Sequence, residues 1–478
     1  MMKEIEEVSY ISVSCDTSNH GVTKLLPILI QYYDIHNIGI TTRILEILTI
    51  TDETSDTITD KILTELEKHS LSSKCVAFSG DNCNTNFGGR DRAGQSNVYA
   101  KLKGRLQKQI IGVGCPAHII NNTVHKGCDN FSIDIESIVM KIYNYFSVFT
   151  VRTEALKDFC QESDVEYSKL LYHSKTRWLS LYPAIERLLK LFKPLKNYFL
   201  SLENPPKVLK IFFENDFSEA FLFTIHSTMN IMHTNIETIE RADNSIIEVR
   251  KILKEIIHNL KQRINQKFMP LKVKEILREI ENIGKSTTEF IEEINNFYIT
   301  MANYLESWIK PLEELDVFEW MDVSKINSAQ WSDLEASLEF LRSRNIIVDE
   351  EKLFNEFLCF QKFVKDLPVD ESTTNCNKLW CNFFKEYEAD KNCQEMKKIA
   401  QFFFCLPAHN ANVERVFSLI TNQWTKERNK LQPQTISEII KTIYNFKMTC
   451  EEFYQYLLKC DKKVLKDIGS SEKYTDKN

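Results

Sequence analysis

Two stretches of the chain each place an aspartate directly behind a short β-favouring run. In the first, Ile11 and Val13 alternate with Ser12 and Ser14 between Tyr10 and Cys15, and Asp16 follows, ahead of Thr17, Ser18, Asn19, His20 and Gly21. In the second, Val76-Ala-Phe-Ser-Gly leads to Asp81 and then to Asn82-Cys-Asn-Thr-Asn-Phe-Gly-Gly. Small residues and turn formers behind an apolar run end a strand, so each carboxylate is expected at a strand's carboxyl end. An Asp there commonly does no more than cap a turn. Two of them, if their strands are neighbours in one sheet, would meet at one edge as a hard-oxygen site for Mg²⁺ or Mn²⁺.

Cations follow the second aspartate. The stretch from Arg90 to Lys108 holds Arg90, Arg92, Lys101, Lys103, Arg105 and Lys108 against Asp91, and its position makes Lys101, Lys103 and Arg105 candidates for nucleic-acid contact. A second run, Arg250 to Arg278, carries nine basic residues against Glu255 and Glu275. Charge runs on helices are more often solvated faces than binding sites. With 60 Lys and Arg against 67 Asp and Glu, the net charge of −7 argues against wholesale nonspecific binding of nucleic acid and leaves local patches open. Met1 is followed by Lys3, Glu4, Glu6 and Glu7 rather than by a signal-peptide core, and no apolar run reaches membrane length, so an intracellular protein is expected. Thirteen cysteines without a C-x-x-C pair read as reduced, mainly buried thiols. Cys115, His118, His125 and Cys128 form Cys-x-x-His then His-x-x-Cys, but the six-residue gap is short for a zinc finger, and packing is the simpler reading.

Glycine usage divides the elements that must position these groups. Ten of the twelve glycines lie at or before Gly127, which assigns strands and tight turns to the first quarter. Strands are expected near Tyr10–Cys15, Leu25–Tyr33, Thr42–Thr49, Lys74–Ser79 and Ile110–Gly114, with helices near Thr54–His69 and Asn97–Lys108: a mixed sheet with an antiparallel start. Beyond Gly127 the apolar spacing is helical, as in Ile133–Phe149 and Pro183–Leu202. Ser245 and Glu248 form a capping-box signature ahead of one long helix through the second basic stretch. In the last unit Val413, Val416, Phe417, Ile420 and Trp424 share a helix face bordered by Glu414. Thr435 and Glu438 cap a further helix carrying Ile439, Ile440, Ile443 and Phe446.

The Asp16 strand end, Ser79-Gly80-Asp81-Asn82, Cys115-Pro-Ala-His118, Lys175-Thr-Arg177-Trp178 and Asn412-Val-Glu414-Arg415-Val-Phe417-Ser418 together resemble the hAT superfamily of DNA transposases. The resemblance covers nearly the whole chain, and its Glu-Arg-Val-Phe-Ser block is the most specific part. It implies an α/β plus all-α protein: an RNase H-like mixed-sheet catalytic domain (1–182 and 401–460) interrupted by a large helical insertion (183–400), with a disordered tail (461–478). It implies that Asp16, Asp81 and Glu414 are the catalytic and metal-binding triad, with Mg²⁺ or Mn²⁺ as cofactor for phosphodiester cleavage and transfer. It places Cys115 and His118 near the active site, and Arg177 and Trp178 on the DNA, with the indole stacked on a flipped base. It further implies nuclear localisation, DNA as partner, and at least a homodimer through the C-terminal region, with the face of Val416, Phe417, Ile420, Ile439, Ile440 and Ile443 expected to be buried partly within the fold and partly against a partner chain. The family usually carries a BED-type zinc finger ahead of the first Asp, and the fifteen residues before Asp16 hold no such cluster. A truncated or domesticated, non-catalytic scaffold is therefore the alternative expectation.

Overall fold

Strand β3 (Thr23–Asp34) reads as an almost unbroken apolar run because both of its faces are covered. Leu26, Ile28, Ile30 and Tyr32 point into one core, while Leu25, Leu29 and Tyr33, one residue out of phase, point into two others. The computed structural model describes residues 5–35, 39–89, 94–174, 180–367, 375–387, 393–428, 430–446 and 449–459. Arg90, Arg92, Arg177, Trp178 and the expected tail fall outside them.

The other strands are β1 (Ile11–Cys15), β2 (Ser18–His20), β4 (Gly39–Thr49), β5 (Cys75–Gly80) and β6 (Ile111–Gly114). Ile28, Leu29, Ile30 and Gln31 of β3 partner both β1 and β4, so those two strands lie on opposite sides of it, each antiparallel to it. Leu25 likewise partners both Ser18 and Thr49, which puts β2 on the β1 side. β5 runs parallel to β1, and β6 parallel to β5. The result is a small mixed sheet in an otherwise mainly helical chain, with the antiparallel start expected from the order of strands and helices. The three-residue β2 and the helix Pro116–Cys128 are additions to the sequence reading.

Helices Ser55–Lys68, Val98–Leu106 and Pro116–Cys128 share the larger core with the Val13 and Ile28 face. Helices from Trp331–Arg342 to Gln394–Phe404 share a second core with Tyr33, Ala77, Ile111 and Val113. Three boundaries differ from expectation. The second basic stretch is two helices, Ile246–Asn265 and Leu271–Asn282, because Pro270 cannot continue the first; its Ser245–Glu248 capping box is present. The Pro183–Leu202 helix is Leu181–Lys190 followed by Phe192–Ser201, broken at Leu191. The last predicted helix begins at Pro433 behind Gln432 rather than at Thr435, since Pro pre-sets the first helical φ, and Glu438 pairs with Lys441 at 2.7 Å instead of capping.

Helix Cys376–Tyr387 docks against the turn into β4. The Ile40 N–H donates to Asn377 Oδ1 at 2.9 Å, and Gly39 sits beside that amide with φ of 81°, where L side chains are strained. A Cβ at Gly39 would overlap Asn377 Oδ1 and press on Cys381 Sγ. Gly39→Ala is accordingly expected to destabilise by about 2–4 kcal/mol, read as a lower denaturation midpoint with an unchanged m-value.

Candidate active site

Parallel pairing of β1 with β5, in register at Ser14 and Ser79, carries Asp16 and Asp81 to the same edge of the sheet. Asp16 Oδ1 accepts the Thr17 N–H at 2.8 Å. Asp81 Oδ1 accepts from Asn86 Nδ2 at 2.6 Å and from the Cys83 N–H at 3.3 Å, so the turn behind β5 aims the carboxylate and holds it. Asn82 Nδ2 donates to the Cys115 carbonyl at 2.8 Å, and the Cys115 N–H donates to the Gly80 carbonyl at 3.0 Å. Those two bonds tie the start of helix Pro116–Cys128, and His118 one turn into it, to the Asp81 turn. Gly114 permits this, since a Cβ there would overlap Asn82 Oδ1.

Glu414 arrives on helix Ala411–Gln423, which is clamped at its amino end by its own motif. His409 is buried and its Nε2 lies 2.7 Å from the Arg241 carbonyl; a carbonyl only accepts, so Nε2 carries the proton and Nδ1 accepts the Ala411 N–H at 3.2 Å. Burial pushes the His409 imidazole down to about 4. Asn410 Nδ2 donates to the carbonyl of Cys15, the residue before Asp16, at 3.3 Å. Asn412 Nδ2 donates to Thr42 Oγ1 at 3.1 Å, and Arg415 donates to Asn412 Oδ1 and to the Glu240 carbonyl. None of these positioning roles for His409, Asn410, Asn412 and Arg415 follows from periodicity. Their only sequence signal is the density of short polar residues in Ala408–Arg415, within an otherwise apolar unit.

The carboxylates feel one another. Burial raises Asp16 to about 7, and the charges of Asp81 and then Glu414 push in the same direction, against the Thr17 N–H and His118. Glu414 is raised by burial, with His118 opposing and Asp81 reinforcing. Asp16, Asp81, Glu414 and His118 thus share one electrostatic neighbourhood, assembled from segments 333 positions apart (414 − 81). In donor chemistry this set fits a hard divalent cation, which would relieve the like-charge repulsion. Among the described residues, however, no three His, Cys, Asp or Glu side chains are arranged to hold a metal ion.

The remaining candidates are placed differently. Lys101 donates to Asp56 at 2.5 Å and to Ser55 Oγ at 2.9 Å, and Arg105 pairs with Asp60, so both tie helix Val98–Leu106 to helix Ser55–Lys68. Lys103 lines a cavity with Tyr10, Cys75 and Val76, at the amino ends of β1 and β5. That is about 20 Å along β5 from Asp81, not beside the carboxylates as the sequence order suggested. Cys115 and Cys128 flank a single helix and stand about 20 Å apart along it, and His125 pairs with Glu136, so helix geometry rules out a four-ligand zinc site. Arg177 and Trp178 lie outside the described residues.

The dimerisation candidates divide. Val416, Ile420 and Ile440 are buried against Leu25, Leu29, Ile44 and Ile47 of the sheet and form the part of the face that lies within the fold; Phe417 packs at the margin. Ile439 is half-buried, while Ile443 and Phe446 are 44% and 61% exposed. Amphipathicity marks both apolar faces alike and does not say which one the sheet takes.

A mixed-sheet protein with clustered carboxylates at one strand edge is the class these elements define. Residues 361–446 match the family model described as the hAT family C-terminal dimerisation region, which supports an hAT-family transposase-derived protein and homo-oligomerisation. No match was found among curated proteins. Among the described residues no helix is long and apolar enough to cross a membrane.

Two outcomes are expected. A folded carboxyl raised from 3.8 to about 7 contributes stability that is present below pH 3.8 and lost as pH rises through about 7. In metal-free buffer, Asp16→Asn should therefore raise the melting temperature at pH 8 by roughly a few degrees more than at pH 4; equal shifts at both would remove Asp16 from the cluster. In light scattering, Phe446→Glu should weaken self-association while keeping the helical circular dichroism, whereas Ile440→Glu should cost the fold itself, about 3 kcal/mol or more.

Proposed function

We propose that this chain is an hAT transposase-like nuclease core that cleaves and transfers DNA strands with Asp16, Asp81 and Glu414. The observation that carries the reading is the convergence of two strand ends and a distant helix: paired β1 and β5 bring Asp16 and Asp81 to one sheet edge, and the charges of Asp81 and Glu414 both raise Asp16. In this reading the sheet is RNase H-like, the segment 183–400 is an insertion that leaves and re-enters one domain, and the protein works on DNA in the nucleus. Mg²⁺ or Mn²⁺, once bound, would polarise the phosphodiester and lower the pKa of a coordinated water or 3′-hydroxyl. The chain's own part is rigidity and charge. Asp16 and Asp81 come from paired strands, Asn86 and the Cys83 N–H fix Asp81, and the His409–Arg415 clamp holds Glu414 toward them. Arg177 and Trp178 would contact the DNA end, the indole stacking on an unpaired base.

A second reading is a non-catalytic dimerisation scaffold. It is favoured by the lack, among the described residues, of three side chains converged on a metal position. Cleavage of a pre-nicked or hairpin DNA in Mn²⁺ separates the two. Glu414→Gln is expected to reduce strand cleavage by at least about a hundredfold with unchanged circular dichroism. Absence of cleavage by well-folded wild-type protein that binds Mn²⁺ would leave the scaffold reading.

A further inference from the structure

Behind Glu414, on a neighbouring face of the same helix, lies a cavity of about 570 Å³. It opens between β4, helix Ala411–Gln423 and the end of helix Pro433–Asn445. Thr42, Arg43, Arg415, Ser418 and Tyr444 line it, and no Asp or Glu is among its described lining residues. The hydrogen-bond acceptors of Arg415, Asn412 Oδ1 and the Glu240 carbonyl, are neutral oxygens, and its nearest acid, the Glu240 carboxyl, lies outside the cavity lining. Arg43 and Arg415 line the same cavity as Tyr444, and both charges oppose the burial that pushes its phenol up to about 12. The nearby Glu240 and Glu414 carboxyls do not line it.

Guanidinium forks match the paired oxygens of a phosphate, and the volume accommodates a phosphate with its attached sugar rather than a bare ion alone. We propose that this cavity binds a phosphate group between Arg43 and Arg415, with Ser418 and Tyr444 as hydroxyl partners, supplied by a DNA strand or as free phosphate. Naming a strand as the source rests on the proposed function; the preference for phosphate does not. A strand reacting at Glu414 would cross this helix within a nucleotide or two, which makes the cavity a grip on the flanking backbone.

The test is fluorescence anisotropy of the full chain with a single-stranded oligodeoxynucleotide across a salt series, alongside calorimetry with inorganic phosphate. Ser418 is exposed, so Ser418→Glu places a carboxylate at the cavity without disturbing a core; Arg43→Gln is the second variant. Ser418→Glu is expected to weaken oligonucleotide binding about tenfold and to flatten the log-log salt slope by about 0.7, the loss of one phosphate contact. Loss of inorganic phosphate binding alone, with the oligonucleotide unaffected, would support the site and assign it to the free anion. Phosphate and oligonucleotide binding unchanged in both variants would overturn the proposal, as would altered self-association with unchanged anion binding, which would give the cavity to a partner's acidic side chain. Glu414→Gln should keep both anion affinities, so failure of cleavage and failure of this site are read separately.

Discussion

The last carbonyls of an α-helix have no partner within it, and here that deficit stitches the two ends of the chain together. Helix Gln394–Phe404 ends beneath the sheet. Gln31 Nε2, from the middle of β3, reaches the carbonyls of Leu406 at 3.0 Å and Phe404 at 3.3 Å, while Ser12 Oγ of β1 donates to Cys405 at 2.7 Å. Both donors are buried, so breaking these bonds would strand polar atoms at a cost of roughly 1–3 kcal/mol each. Everything that follows Leu406 inherits its position from this seat, including the Asn410 bond to Cys15 and the helix that carries Glu414.

The carboxylate cluster runs against the stability of the fold. Burial raises Asp16 and Glu414 toward the protonated state, the neighbouring Asp81 charge pushes both the same way, and Asp16 is raised to about 7. A structure that served only to pack would gain by replacing them. Their neighbours relieve them only in part. Asn86, the Cys83 N–H and the Thr17 N–H hold two of the carboxylates in place, and His409, kept neutral by burial, orders the third segment without adding charge. Repulsion held in this way is what a cation would neutralise.

The helical block contributes backbone rather than chemistry to this region. The Arg241 carbonyl receives His409 and the Glu240 carbonyl receives Arg415, so the end of helix Ser218–Ile239 and the turn behind it brace the Glu414 helix from the far side. Arg250, nearly fully buried, pairs with Asp316 and joins helix Ile246–Asn265 to the segment Lys310–Met321. Movement of the block would therefore be felt at Glu414.

Local rules were enough for much of this protein. β-favouring runs bounded by turn formers located β1, β3, β4, β5 and β6 to within a few residues, and the two strand-end aspartates were legible because each directly follows such a run. The Ser245–Glu248 cap was legible for the same reason, being contained within four residues. What tertiary structure decided was direction and company. The apolar faces of the last helices look alike in sequence, and only docking on β3 and β4 showed that Val416, Ile420 and Ile440 belong to the core while Phe446 faces outward. Lys101 and Arg105 read in sequence as part of a basic run, and only the fold showed Asp56 and Asp60, some 45 positions earlier, opposite them. The clamp of His409, Asn410, Asn412 and Arg415 was invisible because the acceptors that anchor it, on Cys15, Thr42, Glu240 and Arg241, are remote in the chain, and spacing rules carry no information about groups that meet only when the sheet is formed.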